Sequence, residues 1–176
     1  KELNMGQEVN RYAMSKGLIL GTLFALNYLL STFSATSFLS FGVEILIVFA
    51  AYKMTISCRE NVLDGVISYG RAWWYVVNLF LYSAMVSGVF KYVYLKWIRA
   101  DYLQNLEVQV KEVFENTGLN GVEMKEVMSR LHEVLTPENM AIYSIFGDVI
   151  IGVFLGLIIA AIVKRDETYR HKEPEE

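Results

Sequence analysis

One run of 23 residues bearing a single charge, residues 141–163, constrains this chain more than any other part of it. It reads AIYSIFGDVIIGVFLGLIIAAIV, with Thr136-Pro137-Glu138-Asn139 before it and Lys164-Arg165 after it. At ~1.5 Å per helical residue the run reaches about 34 Å, enough for a hydrocarbon core of roughly 30 Å. Its one charge, Asp148, is informative. A carboxylate near the middle of a span costs on the order of 3 kcal/mol on insertion scales, so it is expected to face protein and not lipid. Ser144, Asp148, Gly152, Gly156 and Ala160 recur every fourth residue and form a narrow stripe of small and polar side chains. Small residues at that spacing let a second helix approach closely, which aims Asp148 into a helix bundle.

The remaining composition agrees with a membrane protein. The 176 residues are 54% hydrophobic and clustered into runs, which fits one all-α membrane domain better than a soluble core. A net charge of −3 gives no reason to expect a nucleic-acid partner, and a single cysteine, Cys58, excludes an internal disulfide. The sequence begins at Lys1 and not at methionine, so a missing or trimmed natural N-terminus is expected.

Four spans are predicted, at about residues 18–35, 38–55, 72–95 and 140–163. Arg11 and Lys16 before the first run resemble the start of a signal peptide, but no A-x-A cleavage pattern follows, and a retained helix is favoured. Gly17, Gly21 and Ala25 give it a small-residue stripe, with Asn27 near its middle. The second run follows almost without a polar loop, making an antiparallel hairpin. It carries Glu44 in line with Ser40, Ala51 and Thr55. Residues 59–71 are polar and amphipathic, with Val62, Leu63, Val66 and Ile67 on one face, and predict a short helix at the cytoplasmic membrane surface. Trp73, Trp74 and Tyr75 then open the third span as an interfacial belt. Its small stripe is Ala84, Ser87, Gly88 and Lys91.

Residues 99–135 are hydrophilic but patterned as a helical hairpin. Leu103, Leu106, Val110, Val113 and Phe114 mark one apolar seam; Met124, Val127, Met128, Leu131 and Leu135 mark its mate across a turn at 116–121. No strong breaker lies between Ala72 and Glu115, which predicts one long helix projecting from the bilayer. Thr136 is placed as the N-cap of the fourth span and Pro137 as its first helical residue. The tail after Lys164 is charged and is expected to be mobile.

Basic residues orient the spans. Lys1, Arg11 and Lys16, then Lys53, Arg59 and Arg71, then four in the tail, mark both termini and the second loop as cytoplasmic. The long third loop's five basic residues, Lys96, Arg99, Lys111, Lys125 and Arg130, are outnumbered by eight acids between Asp101 and Glu138, which assigns the hairpin to the outer side. With that orientation Glu44, Lys91 and Asp148 all fall in the outer half of the membrane. The expectation is a shared polar site in which Lys91 lies between the two carboxylates. The competing reading has Lys91 snorkelling to the headgroups and each acid bonded locally.

Other candidates are weaker. His132 and His171 stand alone on charged surfaces, and Gly65 and Gly70 do not match a phosphate-cradling loop. No nucleophile–base set, metal ligand cluster or cofactor motif is legible, so a non-enzymatic protein without cofactor or metal is expected. Gly152 and Gly156 also raise the expectation of a homo-oligomer held through them, with Gly17, Gly21 and Ala160 as further packing positions.

The chain resembles a family of four-helix membrane proteins, a domain of unknown function widespread in Bacteroidota. The resemblance rests on Tyr12-Ala-Met-Ser-Lys-Gly-Leu-Ile-Leu-Gly21, Gly65-Val-Ile-Ser-Tyr-Gly-Arg-Ala72, Tyr94-Leu-Lys-Trp-Ile-Arg-Ala-Asp101, and the glycine-rich last span closing at Lys164-Arg165. Arg99-Ala100-Asp101 departs from the Asp-Pro step common in relatives. The resemblance implies an inner-membrane location and no assigned catalytic residue. It further implies, through relatives encoded beside polyprenyl-phosphate glycosyltransferases, a role in envelope glycolipid assembly with such an enzyme as partner. From the residues, the function expected is binding of a lipid-linked or polar ligand, or scaffolding, at the outer polar site. The alternative is a small proton-coupled transporter or lipid translocator that uses Glu44 and Asp148.

Overall fold

A computed structural model describes residues 2–33, 37–115 and 121–165. The expected first loop at 34–36, most of the turn at 116–121, His171 and the tail beyond Arg165 lie outside the described residues. The chain is all-α: α1 (Glu2–Ser31), α2 (Ser37–Val62), α3 (Tyr69–Val93), a π-helical turn (Tyr94–Ile98), α4 (Ala100–Glu115), α5 (Gly121–Val134) and α6 (Pro137–Val163). Four segments are long and apolar enough to cross a membrane, Met5–Ser31, Phe38–Val62, Tyr69–Ile98 and Pro137–Val163. The residues form two compact units, one of Lys1–Ser87 with Ile145–Glu176 and one of Gly88–Ser144.

In the first unit α3 is the central helix, because its side chains supply most of the core: Ala72, Tyr75, Val76, Leu79 and Phe80 are fully buried against Leu20, Ala51, Cys58 and Ala160. Glycines let the neighbours reach it. A Cβ added to Gly17 would lie 2.6 Å from Tyr82 Cβ, and one on Gly21 would lie 2.7 Å from Val86 Cβ. On α6, a Cβ on Gly152 would strike the Phe80 side chain, and one on Gly156 would come within 3.0 Å of Trp73 Cδ1. Both glycine pairs are therefore spent on α3 of the same chain. The expectation that Gly152 and Gly156 join two copies is corrected accordingly: that face is already occupied.

Three boundaries differ from the sequence reading. α1 starts at Glu2, well before residue 18, because Val9 and Ala13 continue its buried stripe through the polar N-terminal stretch. Residues 59–71 form no surface helix. α2 runs on to Val62, the chain turns through Asp64 (φ 50°) and Gly65 (φ 83°), and Ile67 pairs in antiparallel fashion with Arg165. There Ile67 N donates to Arg165 O at 3.1 Å and Arg165 N to Ile67 O at 3.0 Å. Arg59 donates to the Val163 carbonyl at 2.9 Å, satisfying an end carbonyl of α6. The helix expected to run unbroken from 72 to 115 is interrupted. The 94–98 turn takes π geometry and Arg99 leaves helical space (φ −129°, ψ 54°). Asp101 then sits in the first turn of α4, where a carboxylate favours a helix start, 3.1 Å from Arg99 Nε.

The second unit holds the hairpin. Leu103 is buried and Leu106, Val110 and Phe114 are half-buried on α4, facing half-buried Met124, Val127, Met128 and Leu131 on α5. Val113 departs from that seam and is 64% exposed. The solvent-facing His132 has Nδ1 3.6 Å from Glu107 Oε2 across the hairpin. Thr136 caps α6, its Oγ1 accepting from Asn139 N at 3.2 Å, with Pro137 at the first helical position. Lys96 bridges Glu138 at 3.2 Å and lies over the Tyr92 ring.

Candidate functional site

Asp148 is the polar residue that the fold treats most specifically. One turn beyond it on α6, Gly152 brings the helix against Phe80, so Asp148 shares the face that α6 turns to α3. The buried Ser87 hydroxyl lies 3.3 Å from Asp148 Oδ2 and 3.2 Å from the Ala84 carbonyl oxygen. A hydroxyl has one hydrogen, so Ser87 shares or alternates it between the two acceptors. Asp148 itself is half-buried. The carboxylate thus faces protein at the middle of an apolar span, with the Ser87 hydroxyl as a neutral donor beside it.

Glu44 and Lys91 are the other two members of the expected site. Glu44 is exposed, which corrects the expectation that it turns into the bundle. Its angular phase matches Ala51 and Thr55, both fully buried, but the cover does not extend that far along α2. Phe38, Phe41, Ile45 and Leu46 around it are exposed as well, and burial begins at Ile47. Lys91 is half-buried in the last turn of α3 and belongs to the second unit. Gly17, Gly21, Gly152, Gly156 and Ala160 are all buried helix-packing positions of the first unit.

Several polar contacts of the first unit escaped the sequence reading. Ser83, fully buried, donates toward Leu79 O at 2.6 Å and Gly17 O at 3.1 Å, tying α3 to α1. Tyr12 and Ser57 share a 2.7 Å hydrogen bond between α1 and α2. Trp73, expected in an interfacial belt, has its indole N–H donating to Val153 O at 3.2 Å and its ring covering Gly156. Trp74 and Trp97 remain exposed, as a belt requires. Small residues at 83 and 87, four apart, were the available signal for the α3 donors. Among the described residues no group of three His, Cys, Asp or Glu side chains is placed to hold a metal ion.

Fold and site together define an all-α membrane protein whose apolar helices enclose a serine–carboxylate contact in mid-span. The family described as "Protein of unknown function (DUF4199)" matches residues 12–165, and the chain belongs to it. No curated protein and no solved structure matches the chain.

Proposed function

We propose that this protein is a non-enzymatic component of the bacterial inner membrane, with both termini cytoplasmic, that binds the polar part of a membrane ligand at Asp148. The observation that carries the reading is the half-buried carboxylate held against buried Ser87, since an ionisable group in mid-span is costly unless it has a use. A carboxylate and a hydroxyl recognise donors, namely sugar hydroxyls or an amine, and a carboxylate repels phosphate. The ligand class that fits is therefore a lipid carrying a sugar or amino group. A place in envelope glycolipid assembly beside a glycosyltransferase rests on the family resemblance alone.

The test uses the full chain in lipid nanodiscs with a monoglucosyl diacylglycerol as probe and unmodified diacylglycerol as reference. Wild type retains the glucosyl lipid preferentially, and Asp148→Asn and Ser87→Ala each lose that preference while melting as folded proteins. Lys91→Met shows whether the cation paired with Asp148 in the sequence reading contributes. Equal retention of the two lipids by wild type, or unchanged preference in Asp148→Asn, removes the proposal. A proton-coupled carrier using Glu44 and Asp148 together loses support from the exposure of Glu44; pH-dependent flux in proteoliposomes would restore it.

A further inference from the structure

At the end of the first unit where α1 and α3 both begin, a cleft of about 240 Å³ lies between the two helices. Gly6, Asn10 and Ala13 line one wall; Arg71, Trp74 and Asn78 line the other. The polar groups facing it are rich in donors. Arg71 makes one weak contact, 3.5 Å to Met5 Sδ, and has no carboxylate partner among the described residues. Asn10 accepts from the Tyr82 hydroxyl at 2.9 Å through Oδ1, which leaves its amide N–H groups to donate. Asn78 spends one N–H on Trp74 O at 2.8 Å and keeps the other. Among the described side chains of α1, the acid Glu8 lines a separate groove with Arg11, Tyr12 and Asn61 and stays out of this one. A guanidinium and two carboxamides converging with no acid among the described lining residues suit an anion with several acceptor oxygens, and a guanidinium fork matches phosphate.

The surroundings decide what carries that phosphate. Arg71 lies in the first turn of a membrane-length segment and Asn78 roughly 10 Å further in, the depth range of a headgroup boundary. Above the cleft, each wall continues as exposed apolar surface at helical spacing: Met14 and Leu18 follow Asn10, and Leu81 and Met85 follow Asn78. A polar pocket at the membrane edge that leads into an apolar track fits a molecule with a phosphate at one end and acyl chains at the other. We infer that the α1–α3 cleft binds the phosphate of an anionic membrane lipid through Arg71, Asn10 and Asn78, a site separate from Asp148.

The experiment is native mass spectrometry of the full chain released from nanodiscs of mixed phosphatidylglycerol and phosphatidylcholine. Wild type is expected to retain phosphatidylglycerol in preference. Arg71→Gln should reduce that preference on the order of ten-fold, the scale of a lost charge-assisted contact. Arg71→Lys should fall between the two, because an ammonium keeps the charge but not the fork. A second variant, Gly6→Leu, fills the mouth without altering any donor; a Cβ there meets nothing within 4 Å, so the helix accepts it. It should lower retention as well. Arg130→Gln, which removes an exposed cation of α5 paired with Glu126, controls for net charge and should leave retention unchanged. Equal retention of the two lipids by wild type, or wild-type retention in both Arg71→Gln and Gly6→Leu, overturns the inference. Displacement of the lipid by millimolar soluble glycerol phosphate would overturn the lipid assignment and leave a free-phosphate site.

Discussion

At the scale of single residues, two glycines of α6 separate packing from mere helix composition. Gly152 faces the Phe80 side chain so closely that a Cβ cannot fit without movement, whereas a Cβ on Gly147 meets nothing within 4 Å. The same substitution therefore has opposite signs five residues apart. Gly152→Ala should destabilise the folded protein by about 1–3 kcal/mol through overpacking. Gly147→Ala should be neutral or stabilising by about 0.5–1 kcal/mol, since it removes glycine's backbone freedom from a helix interior. Reversible unfolding in mixed micelles measures both, and equal effects would show that α6 does not dock on α3 at Gly152. The small stripe through Ser144, Asp148, Gly152, Gly156 and Ala160 was legible because its period is that of the helix. Glu44 was not, because periodicity fixes a side chain's angle and says nothing about how far the neighbouring helix reaches. Ala51 and Thr55 share its angle and are buried; Glu44 is exposed.

At the scale of elements, apolar spans are read well from sequence and their ends poorly. The four membrane-length segments follow from hydropathy. What closes the end of α2 and α6 depends on groups distant in sequence: Arg59 reaches the carbonyl of Val163, and Ile67 pairs with Arg165. An amphipathic pattern at 59–71 mimics a surface helix because Leu63 and Ile67 are indeed buried, but in a pinned turn with two positive-φ residues. Arg59→Gln should release the α6 terminus at a cost on the order of 1–2 kcal/mol. Amide exchange should then speed up at Arg165, whose N–H bonds Ile67, while exchange in mid-α6 stays slow. Unaltered protection of that amide would show that the arginine contact is incidental. The opposite end of α6 is simpler. Thr136→Ala removes the hydroxyl that accepts from Asn139 N, and should lower stability by about 0.5–2 kcal/mol in the same micelle assay. The Thr-Pro pair announces that start from sequence; the π turn at Tyr94–Ile98 has no comparable mark, since none of its residues is glycine or proline.

At the scale of the whole molecule, charge distribution is the ground for the proposed orientation of each polar segment in the membrane. The end of α2 and the start of α3 carry three basic residues, Lys53, Arg59 and Arg71, whereas the segment from Lys96 to Glu138 offsets five with eight acids. Short basic segments resist translocation and acidic residues contribute little, so the proposed orientation has the connection between α2 and α3 inside and the hairpin outside. The protein is well suited to a direct test because its one cysteine, Cys58, is fully buried and should be silent toward a membrane-impermeant maleimide. Ser129→Cys places a thiol on the exposed face of α5, and Asp64→Cys places one at the exposed turn after α2. In intact spheroplasts Ser129→Cys should label at once, and Asp64→Cys only after the membrane is permeabilised. Labelling of Asp64→Cys from outside would invert the orientation and exchange the leaflets assigned to the two polar sites: the Arg71 cleft would meet the outer leaflet and Asp148 would lie nearer the inner one. Because the charge bias and the labelling pattern are independent of any ligand, this outcome also decides from which side a glycolipid could reach Asp148, whatever the binding assays return.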